Sequence, residues 1–207
     1  MINIAVFASG TGSNYEAIMR FFKDNPHPDI RIALVVCDRS KAKVVHKAFK
    51  WQTPTVLVNA GRFETKVDYE KYILTKLKQY EIGFIALAGY MRLIGSTILD
   101  EYRGKIINLH PSLLPAFPGI DAVGKALDAG VYLTGVTVHF VDQGMDTGPI
   151  IAQQAVVVDE HDTHESLSEK IHTVEHQLYP RILQACALGE IYVNNNRVFG
   201  REKIREI

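Results

Sequence analysis

Residues 2–14 of the chain read INIAVFASGTGSN, and this stretch decides the fold. Its first part is almost wholly apolar and rich in branched side chains, which predicts a buried strand over residues 2–8. The remainder, SGTGSN, precedes a predicted amphipathic helix over residues 14–23, whose first turn Ser13 or Asn14 can cap. Free amide groups at such a helix start bind phosphate, although a plain tight turn explains the pattern equally well.

The glycine loop lacks the full fingerprint of a dinucleotide-binding site. Tyr15 stands where the third glycine is expected, and no acidic residue follows at the expected distance. Asp38, at the end of the next predicted strand, comes early and is followed by the basic residues Arg39 and Lys41. A monophosphate therefore fits this loop better than a dinucleotide.

Strand and helix patterns alternate through the first half of the chain. Further strands are predicted over residues 30–37, 82–88 and 105–109, and further helices over residues 40–50 and 66–80. Such a series requires right-handed crossovers between parallel strands. The sequence therefore predicts an α/β fold with an open, mostly parallel sheet and a Rossmann-like N-terminal half.

The second half has a different pattern. Residues 135–142 and 149–158 predict an antiparallel hairpin joined by the loop 143–148, and residues 191–201 predict a small second hairpin. A long helix lies between the two hairpins. Asp162 or Thr163 is its expected N-cap, and Pro180 is expected to kink or interrupt it. Its apolar stripe consists of Leu167, Ile171, Val174 and Leu178.

Composition narrows the class of protein. The chain has 207 residues, and its 23 Lys and Arg balance its 23 Asp and Glu. This size predicts one domain, and zero net charge argues against a nucleic-acid coat protein or a polybasic membrane binder. Cys37 and Cys186 lie in apolar stretches and are expected to be buried thiols. Because the sequence shows no signal-peptide pattern and no membrane-length apolar run, we expect a cytoplasmic protein.

The segment NLHPSLLPAFPG at residues 108–119 leaves the end of a predicted strand. Open α/β sheets bind ligands at this end of their strands. Asn108 and His110 point to the same side, because side chains alternate along a strand. An amide donor and an imidazole in this place suit the stabilisation of an oxyanion and the transfer of a proton.

The loop of the predicted hairpin carries Asp142 and Asp146. Taken alone, these two carboxylates are typical of a solvated loop. If Asp146 contacts His110, it would favour the charged imidazolium form of that ring. His139, on the strand that leads into the loop, is either a core histidine or a second polar group at the site.

The segment HTVEH at residues 172–176 matches a helical pattern of zinc peptidases. A zinc site needs a third protein ligand, and only the carboxylates of a short tail follow this segment. We therefore expect no metal, and we keep Glu175 as a candidate ligand-binding residue. No motif for a nucleophilic serine or cysteine is present, so covalent catalysis is not favoured.

Taken together, the motifs resemble the phosphoribosylglycinamide formyltransferase family, within the folate-dependent formyltransferase superfamily. The matching segments are SGTGSN at 9–14, LAGYMRLI at 87–94, INLHPSLLPAFPG at 107–119, GVTVHFVDQGMDTGPII at 135–151 and HTVEHQLYP at 172–180. The resemblance implies transfer of the formyl group from 10-formyltetrahydrofolate to the amine of glycinamide ribonucleotide in de novo purine biosynthesis. It also implies direct attack through a tetrahedral intermediate.

The resemblance implies roles for individual residues as well. The implied catalytic residues are Asn108, His110 and Asp146. The implied contacts of the nucleotide are Gly12, Ser13 and Asn14 at the phosphate and Glu175 near the amine. The implied contacts of the folate are Met91, Arg92, Leu93, Ile94, Asn108, Asp142 and Lys66. Lys66 stands where family members have an arginine, and the loop around 142–146 is similar to the one that folds over the pterin ring.

Several alternatives remain. Formyltetrahydrofolate deformylase and methionyl-tRNA formyltransferase share the core chemistry, but each has an additional domain for which this length leaves no room. A zinc peptidase is the remote alternative. We expect one formyltransferase domain over residues 1–207, with a phosphate-binding half at 1–104 and a catalytic and folate-binding half at 105–207. The expected partners are the two small-molecule substrates, without nucleic acid or membrane, and the expected state is a monomer or homodimer.

Overall fold

The structure is a computed structural model that describes residues 1–206. Its main strands are β1 (Ile2–Phe7), β2 (Ile30–Cys37), β3 (Thr55–Leu57), β4 (Ile82–Leu87), β5 (Ile106–His110), β6 (Leu133–Phe140) and β7 (Ile150–Val157). They form one sheet in the order β3-β2-β1-β4-β5-β6-β7. Strands β1 to β5 pair in parallel with one another, whereas β6 is antiparallel to both β5 and β7. The predicted α/β class and its mostly parallel sheet are confirmed.

The α-helices lie on both faces of this sheet. They are α1 (Ser13–Asp24), α2 (Lys43–Lys50), α3 (Lys66–Gln79), α4 (Ser96–Glu101), α5 (Ala122–Asp128) and α6 (His164–Ala187). The predicted second hairpin is present as β8 (Tyr192–Asn194) and β9 (Arg197–Phe199). Within residues 1–206, no helix is long and apolar enough to span a membrane.

The central strand β1 shows why the N-terminal sequence is so apolar. Ile4 and Val6 belong to a buried cluster with residues of α1, α2, α5 and α6, whereas Ala5 and Phe7 belong to a second cluster with residues of α3 and α4. A parallel strand covered on both faces needs apolar side chains at consecutive positions. Cys37 and Cys186 are buried free thiols, as expected.

Short elements account for most differences from the predictions. The sequence patterns do not predict β3, α4 or α5, which have only three, six and seven residues. Periodicity over so few residues does not separate a helix from a strand or a loop. The second helix begins at Lys43 instead of residue 40, because residues 40–42 belong to the loop that precedes it.

The long helix α6 continues through Pro180, so the expected interruption at this residue is wrong. Proline leaves one helical carbonyl without its donor, at a cost of about 3 kcal/mol. The packing of this turn offsets the loss, since Tyr179 is completely buried and its hydroxyl donates to the carbonyls of Leu87 and Ile107 at 2.8 and 3.2 Å. The N-cap is Thr163, one of the two expected residues, in a capping box with Ser166.

Candidate active site

A cavity of about 520 Å³ opens at the edge of the sheet where β1, β4 and β5 end. This is the edge at which open α/β sheets bind ligands, and the volume is in the range of small-molecule sites. Of the residues proposed from the sequence for catalysis or binding, all line this cavity except Lys66. The fold therefore brings together residues that are up to 163 positions apart, from Gly12 to Glu175.

The glycine loop enters helix α1 through Gly12. Its φ of 71° is in the left-handed region, and a Cβ at this position would lie 2.7 Å from Val44, so both the backbone and the packing require glycine. Gly12 is also the N-cap of α1, and no side chain caps the helix. The expected capping by Ser13 or Asn14 is therefore wrong. The first amide groups of α1 remain available as an uncharged cradle for an anion.

Ser9 joins the glycine loop to the segment that follows β4. Its N–H donates to the carbonyl of Gly89 at 3.0 Å, and its hydroxyl accepts a hydrogen bond from the N–H of Met91 at 3.0 Å. The side chain is buried. These two bonds hold the anion cradle at a fixed distance from the segment 91–94, to which the resemblance assigns the folate.

Asn14 and Glu175 meet at the wall of the cavity. Nδ2 of Asn14 donates to Oε2 of Glu175 at 2.9 Å, which links α1 to α6. Burial raises the pKa of Glu175, although the Asn14 hydrogen bond and the charge of His172 oppose this. Oδ1 of Asn14 is buried without a protein partner. Because buried polar atoms are normally paired, this oxygen is a spare acceptor for a ligand.

Asn108 and His139 are register partners on β5 and β6. Nδ2 of Asn108 lies 3.2 Å from Nε2 of His139 and 3.4 Å from Oδ1 of Asp146. Nδ1 of His139 faces the carbonyl oxygen of Phe140 at 2.8 Å, so it must carry a proton. His139 is therefore a polar member of the site, with its Nε2 facing both Asn108 and Asp146.

Both ring nitrogens of His110 face oxygen atoms. Nε2 lies 2.8 Å from the carbonyl oxygen of Phe117, and Nδ1 lies 3.4 Å from Oδ2 of Asp146. Neither a carbonyl nor a carboxylate can donate a hydrogen, so the arrangement favours a proton on each nitrogen. His110 is only 5% exposed, so water screens its interaction with Asp146 only weakly.

Asp146 is the carboxylate that Asn108, His110 and His139 surround. Its Oδ2 accepts a hydrogen bond from the N–H of Gly119 at 2.8 Å. Hydrogen bonding from His139, the Gly119 amide and the charge of His110 outweigh the effect of burial and lower the pKa of Asp146 to about 2. Asp146 is therefore a carboxylate at neutral pH, in contact with Asn108, His110 and His139 at once.

Two polar residues of the β6–β7 hairpin, the buried Thr137 and the exposed Gln153, hold the loop after His110, and no local sequence pattern identifies them. Oγ1 of Thr137 donates to the carbonyl of Ser112 at 2.7 Å and accepts a hydrogen bond from the N–H of Leu114 at 3.0 Å. Nε2 of Gln153 donates to the carbonyl of Leu114 at 2.8 Å. The sequence shows only that Thr137 and Gln153 lie on the predicted hairpin. Their contact with the loop after His110 cannot be inferred until the register of β5, β6 and β7 is known.

The other side of the cavity is apolar and open to solvent. Met91 and Leu93 are 59% and 50% exposed, and Ile120 and Met145 are 82% and 50% exposed. Large apolar side chains exposed around one cavity are typical of a ligand-binding site. The expected folate-binding strip 91–94 is therefore part of an exposed apolar surface that a flat aromatic ligand can cover.

Two of the expected folate contacts, Lys66 and Asp142, differ from the others in their surroundings. Lys66 is at the start of α3, 3.8 Å from Glu70 and outside the lining of the cavity, so its contact with folate stays a prediction. Asp142 lines the cavity, but its Oδ1 accepts hydrogen bonds from Gly144 and Thr147 and shapes its own loop.

The HTVEH segment, which matches the zinc-peptidase pattern, contributes to the wall of the cavity. The rings of His172 and His176 stack with their centroids 6.0 Å apart, and His172 lines the cavity beside Glu175. Burial lowers the pKa of His176. In the part of the chain that the structure describes, no group of three or more His, Cys, Asp or Glu side chains could hold a metal ion.

The chain belongs to the formyl transferase family, whose model matches residues 2–183. It is 53% identical over 184 residues to the phosphoribosylglycinamide formyltransferase of Bacillus subtilis (strain 168), which covers 89% of this chain and 94% of that protein. Its fold is similar to the crystal structure of glycinamide ribonucleotide transformylase 1 from Geobacillus kaustophilus, with a TM-score of 0.85 and 53% identity over 88% of this chain and 97% of that one.

A formyltetrahydrofolate deformylase from Pseudomonas syringae also has this fold. The TM-score is 0.86, but the identity is only 24%, over 95% of this chain and 65% of that one. This similarity concerns the fold alone. The expectation of a formyltransferase is thus supported by close relatives, whereas the deformylase is a distant structural neighbour.

Proposed function

We propose that the protein transfers the formyl group of 10-formyltetrahydrofolate to the amine of glycinamide ribonucleotide, the formyltransferase step of de novo purine biosynthesis. The observation that carries this proposal is one cavity that joins an uncharged anion cradle at Gly12 to the buried His110 and its partner Asp146. The identity of 53% to the B. subtilis phosphoribosylglycinamide formyltransferase supports the choice of substrates.

The nucleotide binds with its phosphate at the start of α1. The amides of Gly12, Ser13 and Asn14 are donors without a side-chain cap, and the positive end of the helix dipole adds to them. Glu175 and the free Oδ1 of Asn14 are acceptors on the way from this cradle to Asp146. They suit the hydroxyl and amine groups of a ribosyl glycinamide.

The folate binds along the segment 91–94, with its N10 at Asn108 and His110. Met91 and Leu93 are exposed and apolar, as a partner for aromatic rings should be. Arg92 is the one arginine or lysine among the described residues that line the cavity, and it provides positive charge for the carboxylates of the folate. No metal takes part in this proposal.

The chemistry follows from the position of Asn108. The amine nitrogen attacks the formyl carbon, and the electrons of its C=O bond move to the oxygen, which becomes an oxyanion. The amide of Asn108 has two N–H groups, and its contacts of 3.2 and 3.4 Å are long enough to give way to this stronger acceptor. The imidazolium of His110 stabilises the same negative charge.

Collapse of the intermediate needs two proton movements. The bond between the formyl carbon and N10 breaks, N10 receives a proton, and the amine nitrogen loses one. His110 in its imidazolium form assists delivery of a proton to N10. Asp146 holds the ring of His110 in place, and a water molecule carries the proton of the amine to Asp146. The sum of these steps is a formyl amide and tetrahydrofolate.

The test is an assay of folate deformylation with and without glycinamide ribonucleotide. We expect turnover only when the nucleotide is present. Turnover without it would instead indicate a hydrolase of the deformylase type. Absence of turnover in both mixtures, with bound zinc found by metal analysis, would indicate the peptidase suggested by HTVEH.

We also propose a setting for this activity. The protein acts in the cytoplasm, as one domain over residues 1–207, on small molecules and without nucleic acid. Residues 1–104 supply the phosphate cradle, and residues 105–207 supply the catalytic residues and part of the folate site. Size-exclusion chromatography with light scattering decides between the monomer and the homodimer.

A further inference from the structure

The expected folate-binding strip 91–94 lies in the connection between β4 and α4, which is neither helix nor strand. Within the described part of the chain, no residue accepts a hydrogen bond from the backbone N–H groups of Arg92, Leu93 and Ile94. These amides are therefore available to a ligand. Because no helix or sheet fixes the shape of the strip, contacts at its two ends must do so.

Glu70 of α3 holds the end of the strip that leads into α4. Its Oε1 accepts a hydrogen bond from the N–H of Gly95 at 2.6 Å, whereas at the other end the N–H of Met91 donates to Ser9. Glu70 is only 3% exposed, and it lies outside the lining of the active-site cavity. A buried carboxylate is costly without hydrogen-bond donors, so its place in the fold points to a specific task at Gly95.

Gly95 leaves the space that this carboxylate occupies. A Cβ at position 95 would lie 2.7 and 2.8 Å from Oε1 and Oε2 of Glu70, which is closer than such atoms approach in proteins. The φ of Gly95 is −96°, a value that any residue can adopt. The close approach of Glu70, and not the backbone conformation, therefore requires glycine at this position.

Tyr69, the neighbour of Glu70 on α3, contacts the beginning of the same segment. Its hydroxyl forms a hydrogen bond with the hydroxyl of Tyr90, which lines the active-site cavity. The guanidinium of Arg92 lies over the ring of Tyr69, 5.6 Å from its centroid. Both tyrosines are buried. Two consecutive residues of α3 therefore contact the chain on both sides of Leu93.

We propose that Glu70 is a positioning residue for the folate co-substrate: its hydrogen bond to Gly95 holds residues 91–94 in the conformation that binds the folate. Glu70 lies outside the cavity, so it acts on folate binding through the strip and not on the chemical step. A segment that already has its bound conformation loses less conformational freedom when the ligand arrives. The inference rests on the proposed function, because the folate of that reaction is the ligand of the strip.

The experiment removes the acceptor and then restores it. Glu70→Ala should raise KM for 10-formyltetrahydrofolate by about tenfold, and Kd for tetrahydrofolate by calorimetry to the same extent, because the strip loses its contact at Gly95. The kcat and KM for the nucleotide should change little. Glu70→Gln keeps an acceptor oxygen and loses only an ion pair with the exposed Lys66, so it should restore the folate KM. An unchanged folate KM in Glu70→Ala, equal increases for both substrates, or no recovery in Glu70→Gln would overturn the inference.

Two further variants separate this contact from the stability of the fold. Gly95→Ala places a Cβ against the carboxylate of Glu70 and should give the same folate-specific increase in KM, even if Glu70→Ala fails to fold. Tyr102→Phe removes a different buried hydrogen bond, to the carbonyl of Ile82 at 3.0 Å, and should lower the melting temperature without changing either KM. A raised folate KM in Tyr102→Phe would show that lost stability alone produces the effect, and it would overturn the inference. Absence of transfer by the wild type would instead contradict the proposed function.

Discussion

The two ends of the candidate active site handle charge in opposite ways. At the end of β1, the loop 9–14 offers backbone amides and no charged side chain, whereas at the end of β5 the buried His110 faces the carboxylate of Asp146. A phosphate keeps its charge through the reaction, so a rigid neutral cradle is sufficient to bind it. An oxyanion exists only briefly, and it needs donors and charge that are already in place. Binding and chemistry should therefore be separable by substitution.

The largest expected effect is on kcat, and it follows from substitutions at the catalytic end of the site, where β5 ends. Asn108→Ala and His110→Ala should each lower kcat by about 10²–10³, because each removes a group that acts on the developing oxyanion. Steady-state kinetics with both substrates measures this effect. KM for the nucleotide should change little, since its phosphate lies at the other end of the cavity. His46→Ala, at an exposed histidine of α2, is the matched control. A near-normal kcat in either active-site variant would contradict its assigned role.

The next largest effect is on KM, and it follows from a substitution in the loop 9–14, which is expected to bind the phosphate. Gly12→Ala should raise KM for glycinamide ribonucleotide by about 10–100-fold, because the new Cβ meets Val44 and strains a left-handed residue, which displaces the amide cradle. KM for the folate should change far less. Gly130→Ala is a matched control, since Gly130 also has a positive φ of 61° but open space around it. Equal increases in both KM values would argue against a phosphate cradle.

A smaller effect concerns the pH dependence of stability at Asp146. Its pKa of about 2 is below the ordinary value of about 3.9 for Asp, so the folded state binds the proton less readily than the unfolded state. The ionised side chain therefore stabilises the protein above about pH 4, and this contribution is lost as the pH falls toward 2. Urea unfolding of wild type and Asp146→Asn at several pH values measures it. A difference in unfolding free energy that stays constant from pH 7 to pH 3 would contradict the account.

The smallest effect is expected at Glu175, where burial raises the pKa. The folded state binds this proton more tightly than the unfolded state, so the side chain costs stability once the pH exceeds its ordinary pKa of about 4.3. Glu175→Gln should therefore melt a few degrees higher than wild type at pH 7, and no higher below pH 4. Its affinity for the nucleotide should fall.

Glu169→Gln serves as the control for this variant, because Glu169 is exposed on the same helix. Its melting temperature should follow that of the wild type at both pH values. A Glu175→Gln variant that is less stable than the wild type at pH 7 would show that the ionised carboxylate is satisfied in the folded state.

Local patterns predicted one end of the site well. The strand expected over residues 2–8 is β1 (Ile2–Phe7), and the glycine loop lies where the alternation of strand and helix places it. This end of the site requires only a buried strand, a glycine with positive φ and a helix start. Each of these features has a sequence pattern that spans only a few residues. The role of Ser13 and Asn14 was the exception, because the N-cap is Gly12.

The other end depends on contacts that no local pattern records. His139 could be a core residue or a member of the site until the register of β5 and β6 places it opposite Asn108. The link between Asn14 and Glu175 spans 161 positions, and it gives the HTVEH segment a meaning other than zinc. Family resemblance, not periodicity, supplied the roles of Asn14 and Glu175 in advance, whereas the place of His139 is known only from the strand register.

In the proposed reaction, the formyl group passes directly to the amine of the nucleotide. The most direct measurement supplies 10-formyltetrahydrofolate labelled with ¹³C in the formyl group and follows the label by NMR in the presence of glycinamide ribonucleotide. We expect the label in a formyl amide of the nucleotide, with formate no higher than in a mixture without enzyme. Label that accumulates in formate instead would show transfer to water and contradict the claim.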